Sequence, residues 1–216
     1  EKELIPEMAS KKKTTSTRKP AARPTARKKA TADVDEIEVF LAETLPQIWR
    51  RFAVRSDITL AKLHDVLQFV MGWHDCHLHQ FIDPGETRYA PRNDDMDPEW
   101  DADVIEERRI KLCDVMPRKG SCLMYEYDFG DGWLHGLKVV QIGPPDPGVR
   151  YPRCLAGERA CPPEDVGGVD GFYEMLEVLA DPEHHEHISY VEWIGGKFDT
   201  EAFDLDRVNG LLATIR

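Results

Sequence analysis

The chain has 216 residues, 41% of them hydrophobic, with five tryptophans and a formal net charge of −12. That is enough for one well-formed core with a small appendage. No run approaches the ~20 apolar residues that span a bilayer, and no apolar signal core follows the N-terminal charges, which points away from a membrane protein and toward a cytoplasmic one.

The charge is unevenly divided. Residues 1–31 hold ten Lys or Arg and three Glu, leaving 18 of the 28 basic and 37 of the 40 acidic residues to the rest of the chain. The stretch "SKKKTTSTRKPAARPTARKKATAD" has no apolar periodicity and cannot bury enough surface to offset its ordering entropy, so residues 1–34 read as a disordered basic tail. Residues 10–29 form a candidate nucleic-acid arm, because each Lys or Arg placed on a phosphate releases counterions. A solubilising tail is the plainer reading, and Met8 offers a start within it.

Residues 35–216 form the domain. From Asp35 the pattern has period two: "IEVFLAET" and "IWRRFAVR" read as strands joined through "LPQ". "SDITLAKLHDVLQFVMGW" has helical period, with Leu60, Leu63, Leu67, Val70 and Met71 on one face, Thr59 as N-cap and Gly72 as stop. "HLHQFID" and "TRYA" are the next strands, residues 91–103 an acidic loop, and "RRIKLCDVM" a short segment before the hairpin "YEYDFGDGWLHGLKVV". A Pro/Gly-rich connection over 143–168 follows, then three short helices near 171–180, 184–194 and 205–215. The expectation is an α+β fold: a mostly antiparallel sheet with one early amphipathic helix and a C-terminal group of short helices.

In the hairpin, Asp131-Gly132 suits a two-residue type I′ loop, which places Asp128 across from His135, while a Gly130-Asp131 loop would place Glu126 there instead. A carboxylate that accepts an imidazole N–H fixes the tautomer and turns the other nitrogen into a better base or ligand, so Asp128, Asp131 and His135 are the catalytic candidates. An ordinary cross-strand polar pair accounts for the same residues.

His77 and His79 are two apart on an expected strand, hence on one face, a spacing that can present two imidazoles to one divalent metal. Cys154 and Cys161 could supply half of a zinc site, although six intervening residues are not a knuckle spacing and a free cysteine is also an ordinary buried residue. The five cysteines contain no CxxC pair and are odd in number, which argues for reduced thiols rather than a disulfide framework. "HHEH" at 184–187 lacks the HExxH spacing and reads as exposed. No Ser/His/Asp set, P-loop or GxGxxG occurs.

Four stretches, "IWRRFAVRSDITLAKLHDVLQFVMGWHDCHLHQF", "YEYDFGDGWLHGLKVV", "RCLAGERACPPEDVGGVDGFYEMLEVLADPEHHEH" and "EWIGGKFDTEAFDLDRVN", together resemble the plasmid pRiA4b ORF-3-like family, in its order, from about residue 36 to the C-terminus. The resemblance implies an α+β domain from bacteria or archaea, with a mobile-element passenger label of TnpR type and no established activity. The recombinase serine or tyrosine signature that resolvase chemistry needs is absent. The family's recurring positions fall on Trp49, Arg50, His77, His79, Asp128, Gly130, Asp131, Gly132, Trp133, His135, Pro163, Glu164, Asp165, Gly167 and Gly168. Of these, Trp49, Arg50, Trp133, Glu164 and Asp165 are the candidate binding residues. Some relatives carry a cysteine where this chain has Val166, so a third thiolate for zinc is missing here. The implied function is that of a plasmid- or transposon-associated accessory or interaction protein, contacting nucleic acid through its tail or binding a protein partner. The alternative is a metal-dependent hydrolase or nuclease built from the His/Asp cluster.

Overall fold

The computed structural model describes residues 33–92 and 103–215. The tail segment 10–29 and most of the acidic loop expected at 91–103 lie outside the described residues. The first two period-two runs become strands β1 (Val34–Leu41) and β2 (Trp49–Arg55), paired antiparallel. Their alternation is visible in burial: Ile37, Val39, Leu41, Phe52 and Val54 are buried, while Glu36 and Glu38 are half-buried and Phe40 is exposed.

Helix α1 (Leu60–Met71) has the expected ends: the Thr59 side chain accepts the Lys62 N–H, and Gly72 closes the helix at φ 93°. Its buried face carries the five expected apolar residues and also His64 and Gln68. Strands β3 (His79–Ile82), β4 (Arg88–Ala90) and β5 (Val104–Glu106) follow, then a 3-10 turn at Glu107–Arg109 and the one-turn helix α2 (Leu112–Val115). The hairpin strands are β6 (Cys122–Tyr127) and β7 (Trp133–Gly143). Helices α3 (Gly168–Ala180), α4 (His187–Trp193) and α5 (Leu205–Leu212) end the described chain. Among the described residues the strands form one eight-stranded sheet in the order β5-β4-β3-β6-β7-β1-β2-β8, antiparallel except for the parallel β4–β5 pair. The fold is α+β.

Two expectations need correction. The Pro/Gly-rich connection contains a strand, β8 (Arg153–Glu158), paired antiparallel with β2. Its residues, "RCLAGE", have little strand propensity, and the pairing is a tertiary choice. The hairpin also differs in register. Tyr127 faces Trp133 and Tyr125 faces His135, leaving a five-residue loop, Asp128–Gly132, closed by a hydrogen bond from the Gly132 N–H to the Asp128 carbonyl. Asp128 therefore does not lie across from His135.

The physical reason is burial. The expected register would put Tyr125 and Tyr127 on the face opposite Trp133, Leu137 and Val139. The observed one gathers Leu123, Tyr125, Tyr127, Trp133, Leu137 and Val139 on a single buried face. Each large ring is worth about 4–6 kcal/mol of burial, against ~1 kcal/mol or less for a favoured turn dipeptide.

Arg50 ties the layers together. It is 2% exposed, and its guanidinium donates to the carbonyls of Val70, Trp49, Glu158 and Arg159 and to Cys161 Sγ. Those five bonds use its five N–H groups, and its planar head lies 4.4 Å from the Phe203 ring centroid.

Candidate functional site

Three loops meet at one end of the sheet: residues 72–78 between α1 and β3, the hairpin loop 128–132, and residues 159–167 before α3. Trp73 anchors them. Its Nε1–H donates to the Pro162 carbonyl at 3.0 Å, and its ring lies 5.0 Å from Tyr127, 5.1 Å from His135 and 5.9 Å from Trp133. Asp131 Oδ2 accepts the Gly167 N–H at 3.1 Å. Gly168, at φ 71°, packs so closely on the Asp131 carbonyl that a Cβ there would come within 2.5 Å of its oxygen. Asp131 is thus a clamp between two loops.

The sequence candidates separate. His77 precedes β3 and turns toward the hairpin loop, its Nε2 lying 3.6 Å from Asp128 Oδ2 and 3.2 Å from Asp165 Oδ1. His79 opens β3 and faces inward, with Nε2 3.0 Å from Glu107 Oε2 and its ring stacked 3.5 Å from that of His64. A strand starting only at His79 explains the divergence, because the two histidines do not share a pleated face. His135 is 1% exposed. Its Nδ1 lies 3.0 Å from the Trp133 carbonyl and 3.3 Å from that of Tyr125, so Nδ1 carries the proton, and burial lowers its pKa to about 4. The Nε2 of His135 and the Nε1 of Trp133 are buried without partners.

The two candidate cysteines make separate contacts, Cys154 on β8 and Cys161 on the loop 159–167. Cys154, on β8, offers its thiol to the carbonyls of Arg51 and Ala156, and Cys161 accepts from Arg50. Burial raises the pKa of both thiols against the pull of Arg50. Trp49 pairs with Phe40 and Glu158 across the sheet, away from the three loops.

Glu164 lies in the same loop cluster. Its carboxylate accepts from Tyr127 Oη at 2.5 Å, from His74 Nδ1 at 2.7 Å and from the His74 backbone N–H. Burial opposes its ionisation, but the Tyr127 and His74 hydrogen bonds outweigh it and hold its pKa below the ordinary carboxylate value. Burial and the Glu164 hydrogen bond raise the pKa of the Tyr127 phenol.

Among the described residues, three groups bring three His, Asp or Glu ligand atoms within 4.8 Å of one another: His64/Asp75/His79, His184/His185/Glu186, and His77/Asp128/Asp165. The first is occupied by its own hydrogen bonds. The Asp75 N–H donates to Gln68 Oε1, Gln68 Nε2 donates to Tyr125 Oη, Tyr125 donates to His64 Nδ1, and His64 Nε2 donates to Asp75 Oδ1. This closed ring fixes His64 with its proton on Nε2. Burial, then the charge of His79, lowers the His64 pKa. The stack adds a geometric bar. With the His64 and His79 rings 3.5 Å apart and 6° from parallel, a cation between them would lie about half that spacing out of each ring plane, off both lone pairs. The second group sits on one surface stretch, with His185 81% exposed.

The third group differs. His77 Nε2 is buried and makes no hydrogen bond, although two carboxylates face it. Ligand atoms about 2.0–2.2 Å from one ion stand about 3.0–3.5 Å from each other, close to the separations here. Asp128 is nearly buried, with Oδ1 taken by the Gly130 N–H and Oδ2 turned to His77, while Asp165 is 72% exposed at its side chain. Asp128 and Asp165 both hold left-handed backbone, φ 57° and 61°. Such positions cost on the order of 1 kcal/mol and cluster where a loop must aim a side chain. The donor set of one imidazole and two carboxylates, open on the Asp165 side, fits a divalent cation with free coordination positions.

Sequence reasoning missed His64, Asp75, Glu107 and Tyr127. His64 had a legible signal: it lies at i+4 from Leu60, inside the apolar stripe of α1.

The fold and this loop cluster define an α+β domain with a His/carboxylate centre at one end of a single sheet. The chain belongs to the family described as Plasmid pRiA4b ORF-3-like protein, whose model matches residues 33–207. It is 37% identical over 180 residues to the uncharacterized protein y4hQ of Sinorhizobium fredii (strain NBRC 101917 / NGR234), covering 82% of this chain and 90% of that protein. Its fold is similar to the crystal structure of a protein of unknown function, MM3350, from Methanosarcina mazei Go1. The TM-score is 0.71 at 39% identity, covering 81% of this chain and 96% of that one. No helix among the described residues is long and apolar enough to cross a membrane.

Proposed function

We propose that this domain is a metal-dependent hydrolase whose centre is His77, Asp128 and Asp165. The observation that carries the reading is the buried Nε2 of His77, which makes no hydrogen bond while carboxylate oxygens of Asp128 and Asp165 stand 3.6 and 3.2 Å from it. A neutral imidazole and two aspartates would hold a divalent cation, which supplies a Lewis acid and lowers the pKa of a water bound to it. The protein supplies the aim. Asp131 and Gly168 lock the hairpin loop against the loop carrying Asp165, and the Asx turn at Gly130 holds Asp128. Calorimetric titration of chelator-stripped protein with Mn²⁺ and with Zn²⁺ tests it. One cation per chain is expected, with affinity lost by roughly 100-fold or more in His77→Gln and Asp128→Asn.

The charge distribution favours a second role beside this one. Residues 1–31 carry ten basic and three acidic residues, while the rest of the chain is strongly acidic. In this reading the protein is a plasmid- or transposon-associated accessory whose tail, residues 10–29, contacts nucleic acid non-specifically, since an acidic domain repels phosphates. Salt-sensitive DNA retention that disappears when residues 1–32 are deleted supports it. Retention that survives the deletion contradicts it.

A further inference from the structure

The three residues of the centre sit on three separate loops, yet the residues immediately before them are joined. Cys76 precedes His77, Tyr127 precedes Asp128 and Glu164 precedes Asp165. The Cys76 backbone N–H donates to Tyr127 Oη at 3.0 Å, and Tyr127 Oη donates to Glu164 Oε1 at 2.5 Å. The direction is fixed, because an ionised carboxylate only accepts and the phenol oxygen already accepts from Cys76. Glu164 Oε2 takes the His74 Nδ1 proton at 2.7 Å, which ties the loop of Asp165 to the loop of His77 a second time. On the other side of His77, the Leu78 carbonyl accepts the Asp128 N–H at 2.8 Å. Tyr127 is fully buried, its ring 5.0 Å from that of Trp73 and edge-on to that of His77 at 5.7 Å. Its hydroxyl is therefore held on a rigid arm where the three loops meet.

Packing alone does not call for this chain. A phenylalanine at 127 would bury the same ring, and only the hydroxyl crosses from the hairpin to the other two loops. A cation centre needs its ligand atoms held to within about 0.5 Å, and groups behind the ligands supply that precision. Here each bond lands on the residue before a ligand, so it fixes the ligand's backbone without occupying any of the oxygens or the nitrogen that would meet the ion. We propose that Tyr127 and Glu164 are positioning residues of the centre, and that the hydrogen bond between them sets the separations of His77, Asp128 and Asp165. The inference rests on the metal-centre reading above. Asp128 and Asp165 both hold left-handed backbone, a conformation that persists where neighbouring contacts over-determine it, and the Tyr127–Glu164 bond joins their two immediate neighbours.

Calorimetric Mn²⁺ titration of the full chain, with Tm measured beside it, tests the proposal. Tyr127→Phe keeps the packed ring and removes the hydroxyl, and the folded variant should bind Mn²⁺ about 10-fold or more weakly. Tyr125→Phe is the control for a merely structural role. Its ring is equally buried and its hydroxyl is bonded to His64 and Gln68, but it precedes no ligand. That variant should lose Tm and keep its Mn²⁺ affinity. Glu164→Met removes the acceptor together with a charge, and a double-mutant cycle isolates the bond: Tyr127→Phe should cost far less in the Glu164→Met background than in wild type. Wild-type affinity in folded Tyr127→Phe, an equal loss in Tyr125→Phe, or additive losses in the double variant overturns the proposal and leaves the metal centre standing. Should Tyr127→Phe fail to fold, Glu164→Asp decides, since it keeps the charge and shortens the reach to Tyr127. Weakened Mn²⁺ binding there supports the proposal, and wild-type affinity overturns it. A wild-type chain that takes up no cation brings down the centre and this inference with it.

Discussion

Asp128 turns its carboxylate toward His77, 3.6 Å away, and not toward His135, which lies inside the core with its Nδ1 on the Trp133 and Tyr125 carbonyls. That relationship separates two histidines of neighbouring motifs into different jobs. His77 faces an open carboxylate cluster, and His135 is a neutral packing residue. The consequences can be measured.

His135 should shape the acid limb of stability. Its folded pKa is lowered to about 4 by burial, whereas a histidine in an unfolded chain titrates near ~6.5. Above ~6.5 both states are neutral and the contribution is complete. As pH falls from ~6.5 to about 4 the unfolded chain binds a proton that the fold refuses, so stability falls, on the order of 3 kcal/mol. His64, lowered chiefly by burial, acts in the same direction. His135→Phe keeps a ring and removes the titration, so urea unfolding at pH 7 and pH 4.5 should show a smaller acid loss than wild type. An equal loss in both proteins would assign the acid limb to other groups.

Arg50 should be irreplaceable by lysine. Removing it strips partners from four carbonyls and a thiol in the interior, a loss of about 3–5 kcal/mol. Lysine offers three donors on a point charge and cannot satisfy that fan. Thermal denaturation should place Arg50→Lys close to Arg50→Met, both well below wild type. A near-wild-type Tm for the lysine variant would mean that the carbonyls find other partners.

Gly168→Ala should damage the centre from a distance. The new Cβ would fall 2.5 Å from the Asp131 carbonyl oxygen at a φ of 71°, so the loop carrying Asp165 must move. A cost of about 1–3 kcal/mol is expected, with Mn²⁺ affinity weakened by roughly tenfold although no ligand has changed. Unaltered affinity in a folded variant would show that the clamp does not position Asp165.

Local chemistry explains which parts were readable in the sequence. The period of Leu60, Leu63, Leu67, Val70 and Met71 is an intrinsic signal, as are the Thr59 cap and the Gly72 stop, and α1 follows them closely. Strands β1 to β4 and the three C-terminal helices were likewise legible from pattern and breakers. Strand β8 was not, because "RCLAGE" pairs with β2 for tertiary reasons. The hairpin misled because Asp131-Gly132 is a strong local turn signal, overridden by the burial of Tyr125, Tyr127 and Trp133 on one face. At the site, the sequence singled out His77, Asp128 and Asp165 separately, from three motifs. It could not show that His77 leaves His79 for Asp128, since that depends on where β3 begins and on three loops meeting in space.

The most direct test of the account is metal binding by chelator-stripped protein, read by calorimetry and by element analysis of the dialysed product. One divalent cation per chain is predicted for wild type, lost in His77→Gln and Asp128→Asn. His79→Gln and His135→Phe, compared as folded proteins, should retain it. Loss of binding in the His79 or His135 variants alone, or a wild-type chain that takes up no cation, would contradict a centre built on His77, Asp128 and Asp165.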